Sequence, residues 1–393
     1  MTGSILVFSR ATPHHHAGGM EEVSWGLAAE WARLGRDVRL VTTAIPGRDG
    51  PFSDAGVEVL PLSGTASGRY SRAWWDASRR YWAGLATPPS VVLSVSSAAY
   101  AAVRDRYRHP HTPFVMQAHG TSAMEILSKL RVPSVRYAAT APKNALWLVR
   151  DLARYRDFDR IVAVGDRVYD SLVAKPQRWS VGGDRIRLIR NGVRAESQAF
   201  DPAARERIRA ELGIGPEVVA VACVGRLHVQ KRMDRALRAA AALGERERYR
   251  FLLVGDGPDE QRLRGLANDL GVAEMVHFTG RADRDRVRGY HSAADVALVT
   301  TARLEVGLPL VVLEALASGL PCVVPASFVA PGAAGDGLHP VDAGDTAAVA
   351  AALTARAAGP GTRASLLPAE LTLEHCARAY LDLFGEVAPV GRA

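Results

Sequence analysis

The chain has 393 residues, 48% hydrophobic and 23% charged, so it has ample apolar surface to fold, and its length suits two domains of roughly 200 residues each. Its 49 basic and 41 acidic residues leave a net charge of +8, yet only four of the basic residues are Lys. The arginines alternate with acids, as in Arg205-Glu206-Arg207 and Asp283-Arg284-Asp285-Arg286, which reads as a solvated surface and argues against a nucleic-acid binder, whose cations gather in runs.

Short apolar runs predict strands at Ile5–Phe8, Asp37–Thr43, Val57–Leu60, Val91–Val95, Phe114–Gln117, Arg160–Ala163 and Ile186–Ile189. A second series follows at Val218–Val224, Phe251–Val254, Val276–Phe278, Val296–Val299 and Cys322–Val324. Between them, Glu21–Leu34, Met233–Leu243 and Asp259–Leu270 space their apolar residues by three and four, the helical period. Alternation of this kind implies α/β architecture with parallel sheets covered by helices on both faces. The turn at Asn191-Gly192 closes the first series, so we expect a first domain at 1–192, a linker at 193–216 and a second domain at 217–370. The last helical pattern, Leu373–Phe384, is expected within a terminal segment 371–393 that crosses back to the first domain.

Cys223, Cys322 and Cys376 lie too far apart for a disulfide framework or a Cys-based zinc site. No run of 18 apolar residues occurs; the best candidate, Val306 to Ala334, contains Glu314 and four prolines. The opening run Ser4–Ser9 is too short for a signal peptide. A soluble, cytoplasmic protein is expected.

Three motifs carry chemistry. Gly18-Gly19-Met20 follows the first strand, where glycines let backbone amides approach a ligand at a helix N-terminus; a tight turn explains the pair equally well. Gly225-Arg226-Leu227-His228-Val229-Gln230-Lys231 closes the first strand of the second series, at the sheet edge where doubly wound folds bind ligands. Its two cations, a planar fork and a point charge, suit the two phosphates of a diphosphate. Glu305-Val306-Gly307-Leu308-Pro309 opens an apolar helix that ends at Gly319 and Pro321. The amides of Gly307 and Leu308 are placed to meet an anion. Glu314, on the apolar helix, is costly to bury alone; it suits either two vicinal hydroxyls, such as those of a ribose, or a structural salt bridge.

Taken in order, these motifs resemble a retaining glycosyltransferase of family 4. They are joined by His119-Gly120, Arg190-Asn191-Gly192-Val193, Val254-Gly255-Asp256-Gly257-Pro258 and Val276-His277-Phe278-Thr279-Gly280. The resemblance covers nearly the whole length and implies the GT-B architecture of two facing Rossmann-like domains. By it, Arg226 and Lys231 hold the donor diphosphate with Gly225, Glu314 takes the ribose hydroxyls, and the backbone of Thr279, Gly280 and Arg281 reads the nucleobase. His119 reaches the donor sugar, and Gly19 lines the phosphate and acceptor side. The family pattern separates two glutamates by seven residues, which puts Val306 where the first belongs; Glu305 stands one position early, so the contact to the sugar hydroxyls falls to a shifted Glu305 or is lost.

His14-His15-His16 looks like a metal cluster, but consecutive side chains diverge and no carboxylate or Cys accompanies them; they line an acceptor pocket or form a loop tip. Asp157-Phe158-Asp159 and Asp283-Arg284-Asp285 match a short Asp-x-Asp metal pattern that arises often by chance, and the resembled family requires no metal or cofactor. Trp74, Trp75, Tyr81 and Trp82 among Arg72, Arg79 and Arg80 suggest a peripheral membrane contact, a sugar-stacking wall or core packing. The expected activity is transfer of a sugar from a nucleotide-diphosphate donor to a small-molecule, lipid or glycan acceptor, retaining the anomeric configuration by front-face attack. Alternatives are a GT-B epimerase or phosphorylase and, from another class, an inactive nucleotide-sugar-binding scaffold.

Overall fold

The computed structural model describes residues 3–15, 18–130, 141–301, 307–328, 337–356 and 363–388. The chain divides into two units, Met1–Gly192 with Leu373–Ala393, and Val193–Thr372. The first unit holds strands β1 (Ser4–Phe8), β2 (Asp37–Thr43), β3 (Phe52–Asp54), β4 (Val57–Leu62), β5 (Val91–Val95), β6 (Phe114–Ala118), β7 (Arg160–Ala163) and β8 (Ile186–Leu188). They form one sheet in the order β3-β4-β2-β1-β5-β6-β7-β8, parallel throughout except for the β3–β4 hairpin. Its helices include α1 (Gly19–Arg33), α2 (Arg72–Ala83), α3 (Ser122–Leu130), α4 (Ala141–Tyr155), α5 (Asp166–Val173) and α6 (Gln177–Val181).

The second unit holds α7 (Pro202–Glu211), β9 (Val219–Val224), α8 (Met233–Ala242), β10 (Tyr249–Val254), α9 (Glu260–Asp269), β11 (Val276–Gly280) and α10 (Arg284–Ala293). It continues with β12 (Val296–Leu298), α11 (Leu310–Ala317), β13 (Cys322–Pro325), β14 (Leu338–Val341) and α12 (Thr346–Arg356). This sheet is wholly parallel, in the order β11-β10-β9-β12-β13-β14. Strands covered on both faces must be apolar along their length, and β5, β6 and β13 are buried at every position.

Two strands escape the sequence reading. β3 spans three residues, joined to β4 through Ala55 (φ 47°) and Gly56 (φ 78°). β14 contains His339 and Pro340 and forms the sheet edge, where a missing N–H is tolerated.

The expected linker at 193–216 is instead an integral part of the second unit. Arg205 and Arg209 on α7 are buried and bind both oxygens of Asp295 at 2.7 and 3.1 Å, while their Nη1 groups also cap the carbonyls ending α10 and Arg209 Nη2 donates to the Gly215 and Val218 carbonyls. Such cations are too deeply engaged to belong to a free connector. The final helix, α13 (Leu373–Val387), packs within the first unit: Trp31 Nε1 donates to the Ala377 carbonyl at 3.0 Å, and its ring lies 5.7 Å from Tyr380.

Half of the aromatic run of α2 is core. Trp74 and Trp82 are fully buried and donate to the carbonyls of Ala98 and Asp105 at 3.2 and 3.0 Å, so these two indoles cannot serve as a membrane wedge. No described helix is long and apolar enough to cross a membrane. The three cysteines are buried thiols; burial pushes Cys223 and Cys376 up to about 12.

Candidate functional site

In the second sheet the strand order reverses between β9 and β12, and ligands of open α/β sheets bind beyond the carboxyl ends of the strands at such a point. Three turns meet there. Gly225, at φ 150°, donates to the Val254 carbonyl at 2.9 Å, Leu227 donates to Asp256 at 2.8 Å, and Gly255 donates to Gly280 at 2.9 Å. The contact is so close that a Cβ on Gly255 would lie 2.2 Å from the Gly225 oxygen, and one on Gly257 equally near the Leu227 oxygen. Only glycine fits, and the loops after β9, β10 and β11 are thereby fixed to one another.

Arg226 projects from this frame, exposed, and makes no hydrogen bond or ion pair with any described residue. Lys231 ends a short 3-10 turn, Val229–Lys231, after which Arg232 (φ 52°) is held by a bidentate pair with Asp234, both contacts 2.9 Å. Thr300 and Thr301 donate their hydroxyls to the Lys231 and Gln230 carbonyls at 3.0 and 3.1 Å. Both threonines are buried beyond β12, so the cationic loop is pinned across the switch point. The sequence reading missed them; consecutive hydroxyls directly after a buried strand were the available signal.

Helix α11 closes with a Schellman motif: Gly319 (φ 68°) donates to Leu316 and Leu320 to Ala315, both at 2.9 Å. Gly307 and Leu308, partly buried, precede its N-cap Pro309. Glu314 is set among buried Val312, Leu313, Ala315, Leu316 and Ala317. Burial pushes its carboxyl up, with the charge of Arg284 opposing. Among the described residues nothing donates to its carboxylate and no salt bridge to it is formed. Glu305, with Val306, lies outside the described residues. Thr279, Gly280 (φ 70°) and exposed Arg281 leave β11 on the same edge, with Gly280 tied to Gly255.

In the first unit the order reverses between β1 and β5. Gly19 begins α1 beyond β1 and is exposed; beyond β5, Ser96 holds a left-handed φ of 50° and its hydroxyl faces Met20 Sδ at 3.7 Å. His119 follows β6, and its Nε2 lies 2.9 Å from Gln117 Oε1, while Gln117 Nε2 donates to the Tyr380 hydroxyl at 3.1 Å. This orientation of Gln117 leaves the proton on His119 Nε2 and a lone pair on Nδ1. Desolvation pushes the imidazole down to about 4, so it is neutral at physiological pH. The Gln117–Tyr380 relay was not foreseen, because Tyr380 is 263 residues from Gln117.

The other signals make contacts within the fold. His14 binds Asp54 at 2.8 Å and packs edge-on against Trp25 and Phe52, and His15 accepts from the Thr12 amide at 3.1 Å; His16 lies outside the described residues. Asp159 accepts from the Phe114 amide and binds Arg106, Asp157 binds Arg154, and Asp283 caps α10. Among the described residues no three metal-ligating side chains come together.

Comparison with known proteins identifies the family and the fold. The family described as glycosyl transferases group 1 matches residues 204–364, and glycosyltransferase family 4 matches residues 17–197. A D-inositol 3-phosphate glycosyltransferase of Acidothermus cellulolyticus is 34% identical over 56% of this chain and 52% of its own. A GDP-mannose-dependent alpha-(1-6)-phosphatidylinositol monomannoside mannosyltransferase of Mycolicibacterium smegmatis is 33% identical over 58% of this chain and 68% of its own. The chain thus spans about half the length of the first of these relatives and about two thirds of the second. Sucrose-phosphate synthase from Thermosynechococcus elongatus has the same fold, with a TM-score of 0.74 at 20% identity over 98% of this chain and 99% of its own. Anabaena HepE, solved with UDP and glucose, gives 0.70 at 16% over 98% of this chain and 100% of its own. The chain belongs to glycosyltransferase family 4 and has the GT-B fold.

Proposed function

We propose that the protein transfers a sugar from a nucleotide-diphosphate donor to an acceptor hydroxyl with retention at the anomeric carbon. The observation that carries this reading is that the second unit holds two groups of opposite charge without partners among the described residues. Arg226 has no partner among the described residues and stands beside a glycine-lined turn. Glu314 is desolvated by burial, and no described residue donates to its carboxylate. A nucleoside diphosphate answers both, its phosphates meeting the cations and its ribose hydroxyls the carboxylate.

In this scheme Arg226 and Lys231, with the amides of Gly225, Gly307 and Leu308, stabilise the diphosphate as it departs, which is where charge develops. The backbone of Thr279, Gly280 and Arg281 holds the nucleobase. His119, neutral, offers Nδ1 as acceptor to a hydroxyl of the donor sugar, and Gly19 leaves room for the acceptor. Attack comes from the leaving-group face, and the departing phosphate takes the acceptor's proton; C1–O bond formation and diphosphate loss balance without a covalent enzyme intermediate. The two relatives are named for inositol phosphate and phosphatidylinositol mannoside acceptors, so a phosphate-bearing polyol is the acceptor class to test first.

A thermal-shift screen with UDP, GDP, ADP and TDP identifies the base, since binding stabilises in proportion to ln(1 + [L]/Kd). Product analysis with the matching nucleotide sugar, with and without acceptor, then tests the reaction. The scheme needs no metal, so turnover is expected to survive a chelator. Activity lost to the chelator and restored by Mn or Mg would overturn that part, and failure of all four nucleotides to bind would overturn the donor site.

A further inference from the structure

We propose that Arg232 and Asp234 form a clamp that positions Lys231 for the donor diphosphate, an inference that rests on the donor site proposed above. Arg232 is one of three residues other than glycine with a positive φ among the described residues, and it stands at φ 52° and ψ 41°. A side chain makes this left-handed conformation costly, because Cβ crowds the following carbonyl. The chain on both sides is fixed. Before Arg232, the Lys231 and Gln230 carbonyls accept from the hydroxyls of Thr300 and Thr301, and the Lys231 amide donates to the His228 carbonyl at 2.8 Å. After it, Met233 is buried and opens α8, its Cε 3.7 Å from where a Cβ on Gly225 would lie. Arg232 alone turns the chain from the cationic loop into the helix.

Glycine takes such a turn without steric cost. Here an arginine takes it, and its own side chain supplies the hold. Nε and Nη2 donate to the two oxygens of Asp234, both at 2.9 Å, a bidentate pair closed across a single intervening residue. Asp234 is buried; burial raises its carboxyl, but the hydrogen bonds and charge of Arg232, with the charge of Arg262, bring it below the usual carboxylate range. Arg262 is itself held by Asp259 at 2.6 and 2.7 Å, and the Asp259 amide donates to the Leu227 carbonyl of the cationic loop at 3.0 Å. Arg232 occupies the N-cap of α8, yet its side chain caps no amide there, so the strained turn does not serve the helix. The charges of the pair cancel at any distance, which leaves little field at the phosphates. Its effect is a fixed backbone angle directly after Lys231, and strain retained beside a ligand site is the mark of a positioning device.

Calorimetry on the full chain tests the clamp, with whichever of UDP, GDP, ADP and TDP stabilises the wild type and with the corresponding monophosphate. Asp234→Ala releases Arg232 and should weaken the diphosphate at least about tenfold, equivalent to about 1.4 kcal/mol. The monophosphate, which has no second phosphate for Lys231 to meet, should change less. Charge alone predicts the opposite sign, since this substitution leaves Arg232 unpaired beside the anion. The double variant R232G/D234A, whose glycine holds the turn unaided, should bind the diphosphate as the wild type does. Asp234→Asn, which gives up the charge and one acceptor, is read in place of Asp234→Ala if the latter does not fold. Wild-type diphosphate binding by the single variant overturns the clamp. So does an equal loss for both nucleotides, or a double variant as weak as the single, because Asp234 then supports only α8. If none of the four diphosphates binds the wild type, the donor site itself falls and the clamp with it.

Discussion

Glu314→Gln should raise the stability of the ligand-free protein while weakening its hold on the donor, and the opposite signs make it a demanding test. Five neighbours on α11 are buried and no described residue donates to the carboxylate, so the folded protein bears a desolvation cost whenever Glu314 is ionised. Its carboxyl is pushed up by that burial. The folded state therefore keeps its proton to a higher pH than the unfolded state, and stability falls as pH rises from the unfolded pKa through the folded one. The Gln variant should thus melt higher than wild type at pH 7.5 and lose its advantage near pH 4. For the donor, two ribose hydroxyls on a carboxylate gain about 1.5–3 kcal/mol each. Gln keeps one acceptor oxygen and no charge, so the loss is about 2 kcal/mol, roughly thirtyfold in Kd. Melting curves at both pH values, with and without nucleoside diphosphate, give all three quantities. A variant that melts lower than wild type and binds nucleotide unchanged would refute the reasoning, since Glu314 would then be a structural carboxylate with no ligand.

Lys231→Ala should lower kcat/KM at least about tenfold, equivalent to about 1.4 kcal/mol of transition-state stabilisation, and near-wild-type turnover would remove Lys231 from the diphosphate site. Gly255→Ala places a Cβ 2.2 Å from the Gly225 oxygen at φ 134°; a loss of about 1–3 kcal/mol in unfolding experiments is expected, together with loss of nucleotide binding as the loop bearing Arg226 is displaced. His119, held down to about 4, should contribute no limb near its ordinary pKa to the pH profile of kcat/KM. Because its folded pKa lies below the unfolded value, acid should cost the wild type stability between about pH 6.5 and 4; His119→Gln should flatten that decline in melting temperature, and an unchanged decline would count against it.

The fold was largely legible because strands covered by helices on both faces must be continuously apolar. Val219–Val224 and Phe114–Ala118 announce themselves in one dimension. Elements that violate that rule were hidden: β3 is too short, and β14 carries the proline that only an edge tolerates. The glycine turns of the candidate donor site were legible for a different reason, since Gly225, Gly255, Gly257 and Gly280 sit at or just beyond strand ends in fixed order. What the sequence concealed was contact across distance. The arginines of 193–216 read as solvated linker until Asp295, 86 positions from Arg209, proves to hold them. Likewise nothing local to His119 reveals that Gln117 and Tyr380 set its tautomer.

The net charge of +8 is therefore informative only after the pairs are subtracted. Most arginines whose partners are known serve the fold: Arg79 on Asp105, Arg106 on Asp159, Arg190 on Asp166, and Arg205 with Arg209 on Asp295. A cation so paired adds little field beyond its neighbour and cannot answer a second anion without breaking a bond it already makes. Among the groups left over, one has a site around it. Arg226, with Glu314 as its opposite, marks the carboxyl edge of the second sheet. A partly buried carboxylate with no donor among the described residues and a surface arginine with no partner there each cost the fold something or leave it nothing, and a ligand that carries the complementary groups is the proposed reason for both.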